Sequence, residues 1–77
     1  MEPSDSRLLE PIEYEEQLER ARHIEDPLQQ HNRAVELLSS AQRDRHTASD
    51  PQYDSVIREL QIFERESGER LVRHNGQ

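Results

Sequence analysis

The strongest constraint on the fold is a repeated dipeptide in which an acidic residue precedes proline. It occurs three times, at Glu10-Pro11, Asp26-Pro27 and Asp50-Pro51. Proline is favoured at the first position of a helix because its missing N–H would have no helical partner there. An aspartate just before it can cap the free amides of the first turn. The repeated dipeptide therefore predicts three helix starts.

Apolar residues recur at helical spacing after each of these prolines. Steps of three and four residues place them on one side of a helix with about 3.6 residues per turn. The three sets are Tyr14, Leu18, Ala21 and Ile24, then Ala34, Val35, Leu37, Leu38 and Ala41, then Tyr53, Val56, Ile57, Leu60, Phe63 and Leu71. We therefore predict helices over residues 11–25, 27–45 and 51–73.

The second and third helices are joined by a short polar linker, residues 46–49. A linker of this length lets two helices fold back antiparallel, which pairs residues whose numbers sum to about 96. The predicted fold is all-α, an antiparallel helical hairpin preceded by a short acidic helix. Residues 10–73 form one three-helix domain. Residues 1–9 and 74–77 are predicted tails, although Leu8 and Leu9 could pack across the hairpin.

Gly68 interrupts the predicted third helix. Glycine costs about 1 kcal/mol relative to alanine inside a helix, so the helix could end near Ser67. Continuation is favoured because Glu66 and Arg70 are four residues apart in the stabilising orientation and because Leu71 rejoins the apolar stripe. We expect the helix to continue past Gly68.

The apolar content is low for a chain that must build its own core. The chain has 77 residues, is 30% apolar and contains no cysteine, which excludes a disulfide. Globular domains are usually about 45–50% apolar, and chains below about 80 residues draw only about 3–5 kcal/mol from one core. Such a chain is either partly disordered or oligomeric, and the periodic stripes favour an oligomer.

We therefore expect a homodimer. Ile62 lies about half a turn from the stripe of the third helix and would be exposed in a monomeric hairpin. An isolated exposed isoleucine is also common in monomers. The residues predicted to form the oligomer interface are Tyr14, Leu18, Tyr53, Leu60, Ile62 and Phe63.

The negative charge is concentrated near the start of the sequence. The net charge is −7, of which residues 1–26 carry −6, from nine acids and three arginines. A chain of this charge is a poor binder of phosphate, so we expect no direct binding of nucleic acid. The acidic residues of the first helix, Glu13, Glu15, Glu16 and Glu19, could dock on a basic protein, imitate nucleic-acid phosphates, or form a solvated helix face.

Catalytic and metal-binding motifs are weak. There is no cysteine, and no serine lies in a Gly-x-Ser-x-Gly turn. Glu19, His23 and His31 could in principle meet at a metal ion, but no second paired motif completes the site. We expect no metal, no cofactor and no enzymatic activity. No run approaches the ~18 apolar residues of a membrane span, which predicts a soluble, cytoplasmic protein without membrane contact.

By elimination, the sequence predicts a small module that works by binding another protein, one with a basic surface. It would act as an adaptor, inhibitor or assembly factor, through occlusion or bridging. Its small size and high charge would also suit a viral or mobile-element accessory protein. The alternative is a nucleic-acid mimic or regulator that binds a DNA-binding protein.

Overall fold

The computed structural model describes residues 9–75, and three helices account for most of that range. They are α1 (Pro11–Arg22), α2 (Pro27–Ala48) and α3 (Tyr53–Asn75). No strand occurs between residues 9 and 75, so the predicted all-α class is confirmed. Within the same range, none of the helices is both long enough and apolar enough to cross a membrane.

Helices α2 and α3 pack against each other as an antiparallel hairpin. His31 near the start of α2 contacts Ser67 near the end of α3, and Arg45 near the end of α2 pairs with Asp54 near the start of α3. These pairs sum to 98 and 99, whereas the predicted pairing summed to about 96. The turn of the hairpin therefore lies later in the chain than predicted.

The predicted linker at residues 46–49 is wrong in its position. Helix α2 continues through Ala48, and the Thr47 hydroxyl donates to the Arg43 carbonyl at 3.1 Å. The helix ends at Ser49, which has a left-handed φ of 54° and donates its N–H to the Arg45 carbonyl at 2.8 Å. Polar residues do not by themselves stop a helix, whereas a left-handed residue redirects the chain.

The other helix ends also differ from the prediction. Helix α1 ends at Arg22 rather than at residue 25, and α3 begins at Tyr53 rather than at Pro51. Before α3 the Asp50 carboxylate accepts the Gln52 N–H at 2.9 Å, so the expected aspartate cap forms over a turn. Asp26, within the described range, makes no such side-chain cap.

The third helix continues past Gly68, as predicted, and extends through Asn75. Residues 74 and 75, predicted as part of a tail, are therefore helical, and neither of them is a proline or has a left-handed φ that would stop α3. The rest of the two predicted tails, residues 1–8 with Leu8 and residues 76–77, lies outside the described residues. Leu9 packs against the core, as expected.

The core lies where α1 covers one side of the hairpin. Its buried apolar residues are Tyr14, Leu18, Ala21, Ala34, Leu37, Ala41, Tyr53, Val56, Ile57, Leu60 and Phe63. Small side chains on α2, such as Ala34 and Ala41, pack with large ones such as Leu60 on α3. This alternation lets the helices approach closely while leaving few voids.

Candidate functional site

The outward side of α1 carries exposed acidic residues around one exposed apolar residue. Glu15, Glu16 and Glu19 are exposed, and Ile12 among them is 56% exposed. These positions are three, four and seven residues apart, so they share the face turned away from the core. The fourth predicted member, Glu13, is half-buried, and its carboxylate accepts the Glu10 N–H at 2.7 Å.

A buried polar cluster holds α1 in place. The Tyr14 hydroxyl donates to the Asp44 carboxylate at 2.5 Å and lies 2.7 Å from the Ser40 hydroxyl. The same carboxylate accepts the Leu9 N–H at 3.4 Å, and the Tyr53 hydroxyl donates to the Leu9 carbonyl. The cluster thus joins all three helices. A buried carboxylate needs such donors because desolvation without them is costly.

The cluster also changes the acidity of both tyrosines. Burial, and after it the hydrogen bond to Asp44, raises the pKa of Tyr14 to about 12. Burial and the nearby Asp44 charge also raise the pKa of Tyr53 above its ordinary value of 10.0. The two rings pack edge to face, with centroids 6.2 Å apart. Both hydroxyls therefore remain protonated donors at neutral pH.

A second set of polar contacts holds the corner between α1 and α2. The buried Gln30 amide donates to the carbonyls of Ala21 and Arg22 at 3.1 and 3.3 Å. Arg70 of α3 donates to the Gln30 oxygen at 2.6 Å and to the Glu25 carbonyl at 3.3 Å. The carbonyls at the end of a helix lack partners within the helix, and Gln30 supplies a donor to two of them, although the Ala21 carbonyl also accepts the Ile24 N–H at 3.1 Å. The acidic helix is therefore fixed at both ends.

Most of the predicted oligomer interface lies in the core of the chain itself. Tyr14, Leu18, Tyr53, Leu60 and Phe63 are all buried within the single chain. Ile62 is 51% exposed, as expected for a monomeric hairpin. Of the six predicted residues, only Ile62 is thus available to a second folded copy, because the other five already pack against their own chain.

A different apolar surface lies on the hairpin side that faces away from α1. We call it the open face, and it comprises Leu28, His31, Val35 and Leu38 of α2 with Glu64, Gly68, Leu71 and Val72 of α3. The α2 members are three, four and three residues apart, so they share one stripe. Leu28 is 52% exposed, Val35 40% and Val72 71%. The prediction that Val35 lies in the core is wrong, whereas Leu38 is partly buried and packs against the core, as predicted. The open face as a whole was not predicted from the sequence.

An open groove of about 680 Å³ crosses the α3 part of the open face. Its apolar lining comes from Leu71 and Val72, with His31 reaching over from α2. The His31 imidazole lies against Gly68, where an added Cβ would be 3.2 Å from the ring. Its Nδ1 is 3.1 Å from the Ser67 hydroxyl. Gly68 is therefore explained by close packing of the two helices.

The possible metal ligands do not converge. Glu19 and His23 pair across one helical turn at 3.3 Å, whereas His31 contacts Ser67 on another helix. Over the described range of the chain, no three His, Cys, Asp or Glu side chains are grouped in a way that could hold a metal ion.

The burial of Gln30 and Asp44 was not predicted from the sequence, whereas Ser67 lies on the buried stripe of α3, where its spacing places it. Asp44 continues the buried series of α2 at the same steps of three and four residues, after Leu37 and Ala41. The spacing could have placed it on the inner side of α2. Its pairing with Tyr14 could not be predicted from spacing, because the two residues meet only when α1 docks.

Comparisons with protein-family models, with curated proteins and with solved structures give no match. The candidate binding sites of the chain are its two exposed surfaces, the acidic face of α1 and the open face of the hairpin.

Proposed function

We propose that this protein is a homodimeric interaction module that binds a basic surface of another protein through the acidic face of α1. The observation that carries the proposal is Ile12, an exposed apolar residue set among exposed glutamates on a helix fixed at both ends. An apolar anchor ringed by charge is typical of protein interfaces. A helix already held in place loses little conformational entropy on binding.

Such a module acts by occupying or bridging its partner, as an adaptor, inhibitor or assembly factor, and not by catalysis. The buried polar side chains Gln30, Asp44 and Ser67 already bond to other parts of the chain. The exposed glutamates supply charge attraction, which speeds association and selects basic partners. Ile12 supplies the apolar contact that excludes water. Docking on a protein surface uses such a contact, whereas imitation of a phosphate chain does not.

The test is capture of partners from an extract of the native host, with bound proteins quantified by mass spectrometry. A variant of the acidic face, Glu15→Gln with Glu16→Gln and Glu19→Gln, is compared with a control carrying Glu36→Gln, Glu59→Gln and Glu66→Gln. All six glutamates are exposed, and each variant loses three negative charges. We expect the first variant to lose at least about tenfold in capture and the control to retain it.

Two further measurements separate the alternatives. Ile12→Ser should weaken capture by about 1–2 kcal/mol, whereas a phosphate mimic would be indifferent to it. Competition by DNA is the second measurement, since binding should weaken as salt concentration rises under either alternative, because exposed charges are screened. Equal capture by the two triple variants would reject the proposal. Competition by DNA together with indifference to Ile12→Ser would instead support the nucleic-acid mimic.

A further inference from the structure

We infer that the open face of the hairpin is the dimer contact, where a second copy of this chain packs its own open face to complete a four-helix bundle. This inference deepens the homodimer part of the proposed function and relies on it. It replaces the interface predicted from sequence, five of whose six residues are buried in the single chain. It is independent of the acidic face of α1, which lies on the far side of the hairpin.

The helical geometry shows that the open face is a second seam on the hairpin. Tyr14 contacts Ser40 and Asp44, and Arg33 contacts Gln17, so α1 covers one side of α2. At about 100° per residue, Leu28 and Val35 lie on the other side. A hairpin with apolar residues on both sides needs a layer on each, and α1 supplies only one of them.

The charge distribution identifies the second layer as another copy. Two chains of net charge −7 repel each other, so they can associate only through a surface that is locally neutral. The groove on the open face carries two acids and two arginines, namely Glu64, Glu69, Arg65 and Arg73. The four α2 members of the open face, Leu28, His31, Val35 and Leu38, include no Asp, Glu or Arg.

This balance also favours a symmetric contact over a foreign partner. In a two-fold interface each residue meets a different residue of an identical surface, so a face with both signs of charge complements itself. A basic helix from another protein would find no excess of negative charge here. It would find that excess on α1, where Glu15, Glu16 and Glu19 are exposed.

The side of the hairpin that carries the open face is large enough for a dimer contact. Helix α2 has 22 residues and is therefore about 33 Å long, and two packed helices are about 20 Å wide. The projected area of this whole side is about 650 Å², and the open face covers about half of it; side-chain relief increases both areas. A standard interface buries about 800 Å² on each partner. The chain also has no cysteine for a stabilising disulfide, so burial in a dimer is an available source of stability.

The test is sedimentation velocity from about 1 to about 100 µM, the range over which a micromolar dimer dissociates. Leu28→Glu on the open face is compared with Ile62→Glu on the outward side of α3. The two parent residues are matched in exposure, at 52% and 51%. We expect the unmodified chain and Ile62→Glu to dimerise equally. Leu28→Glu should weaken the dimer at least about 100-fold, because each copy then brings one buried glutamate into the apolar interface.

Val72→Glu provides a second variant that does not threaten the fold, because Val72 is 71% exposed near the end of α3. It should weaken the dimer while the helical circular dichroism stays unchanged. A monomer at every concentration, which would leave the open face to a foreign helix or to solvent, would overturn the inference. So would dissociation by Ile62→Glu with a retained dimer in both open-face variants.

The failure of this inference and that of the partner proposal can be told apart. The triple glutamine variant of α1 should remain a dimer, because the acidic face is not part of the contact. Conversely, Leu28→Glu should still bind basic partners through α1, although without avidity. Loss of the dimer in the α1 variant would contradict the open-face assignment whatever its effect on capture.

Discussion

Helix α2 presents two sides that look alike in sequence and differ in the folded chain. On the side covered by α1, the series from Gln30 to Asp44 is buried, and its polar members are hydrogen-bonded. On the open side, Leu28 and Val35 follow the same steps of three and four residues but remain exposed. The spacing of apolar residues therefore shows which side of a helix can be buried. Whether that side is buried depends on the element that packs against it.

The largest expected difference between the two sides is in the unfolding free energy lost when a leucine is replaced by alanine. Leu37→Ala removes a buried side chain from the covered side and should cost about 2–5 kcal/mol of unfolding free energy. Leu28→Ala on the open side should cost less than about 1 kcal/mol in the monomer. Urea unfolding at a low protein concentration, at which the chain is monomeric in sedimentation, measures both. Equal costs would mean that the two sides do not differ in burial.

The next effect concerns the polar cluster of the covered side. Asp44→Ala removes the acceptor of Tyr14 and of the Leu9 N–H, and should cost about 1.5–3 kcal/mol because the acceptor is charged. The control is Glu36→Ala, an exposed acid on the same helix, which should change stability by less than about 0.5 kcal/mol. If Asp44→Ala lowers the unfolding free energy no more than Glu36→Ala does, the polar cluster does not contribute to stability.

Alkaline pH should weaken the covered side selectively. The pKa of Tyr14 is about 12 in the folded chain against an ordinary 10.0, so above pH 10 the unfolded chain loses this proton first. The unfolding free energy should therefore be independent of Tyr14 below pH 10, fall between pH 10 and about 12, and level off above. Urea unfolding across this range measures the effect.

Tyr14→Phe is the control for this titration, because it removes the ionising group while keeping the ring. Its stability should fall less steeply over the same pH interval, with the remaining slope due in part to Tyr53, whose pKa is also raised. Tyrosinate absorbance should show both tyrosines ionising late in the folded protein. Identical slopes for the two chains would remove Tyr14 as the cause.

The smallest expected effect is the change in stability caused by a substitution at Gly68, on the open side. Gly68→Ala should gain helix propensity but place its Cβ 3.2 Å from the His31 ring, which is held by Ser67. We expect little net gain in stability from this single change. In a His31→Ala background the same substitution should gain nearly the full amount of about 1 kcal/mol. Equal gains in both backgrounds, measured by urea unfolding of the monomer, would show that His31 does not restrict position 68.

Much of the local structure could be predicted from the sequence, because its causes are local. Pro11 and Pro27 each occupy the first position of their helices, as the dipeptides indicated. The continuation of α3 through Gly68 followed from residues on either side of it. The end of α2 was missed because it depends on the backbone of Ser49, a residue type with no strong preference for the left-handed conformation.

The functional surfaces were less predictable than the helices. The exposed glutamates of α1 could be placed from their spacing alone, and only Glu13 proved half-buried. The predicted oligomer contact listed residues that the chain buries by itself, such as Tyr53 and Phe63. A stripe of apolar residues carries no mark that tells an intramolecular partner from an intermolecular one, since the hydrophobic effect does not depend on which chain supplies the surface.

Three features of the molecule can be derived without the fold: the presence of three helices, the start of two of them at proline, and the acidity of the first helix. These follow from interactions within about one helical turn, namely proline geometry, side-chain spacing and charge. Packing between the helices, in contrast, determines which side of α2 is covered, why Asp44 can be buried, and that Leu28 and Val72 stay exposed. Those outcomes depend on residues far apart in the chain, and burial is defined only when they meet.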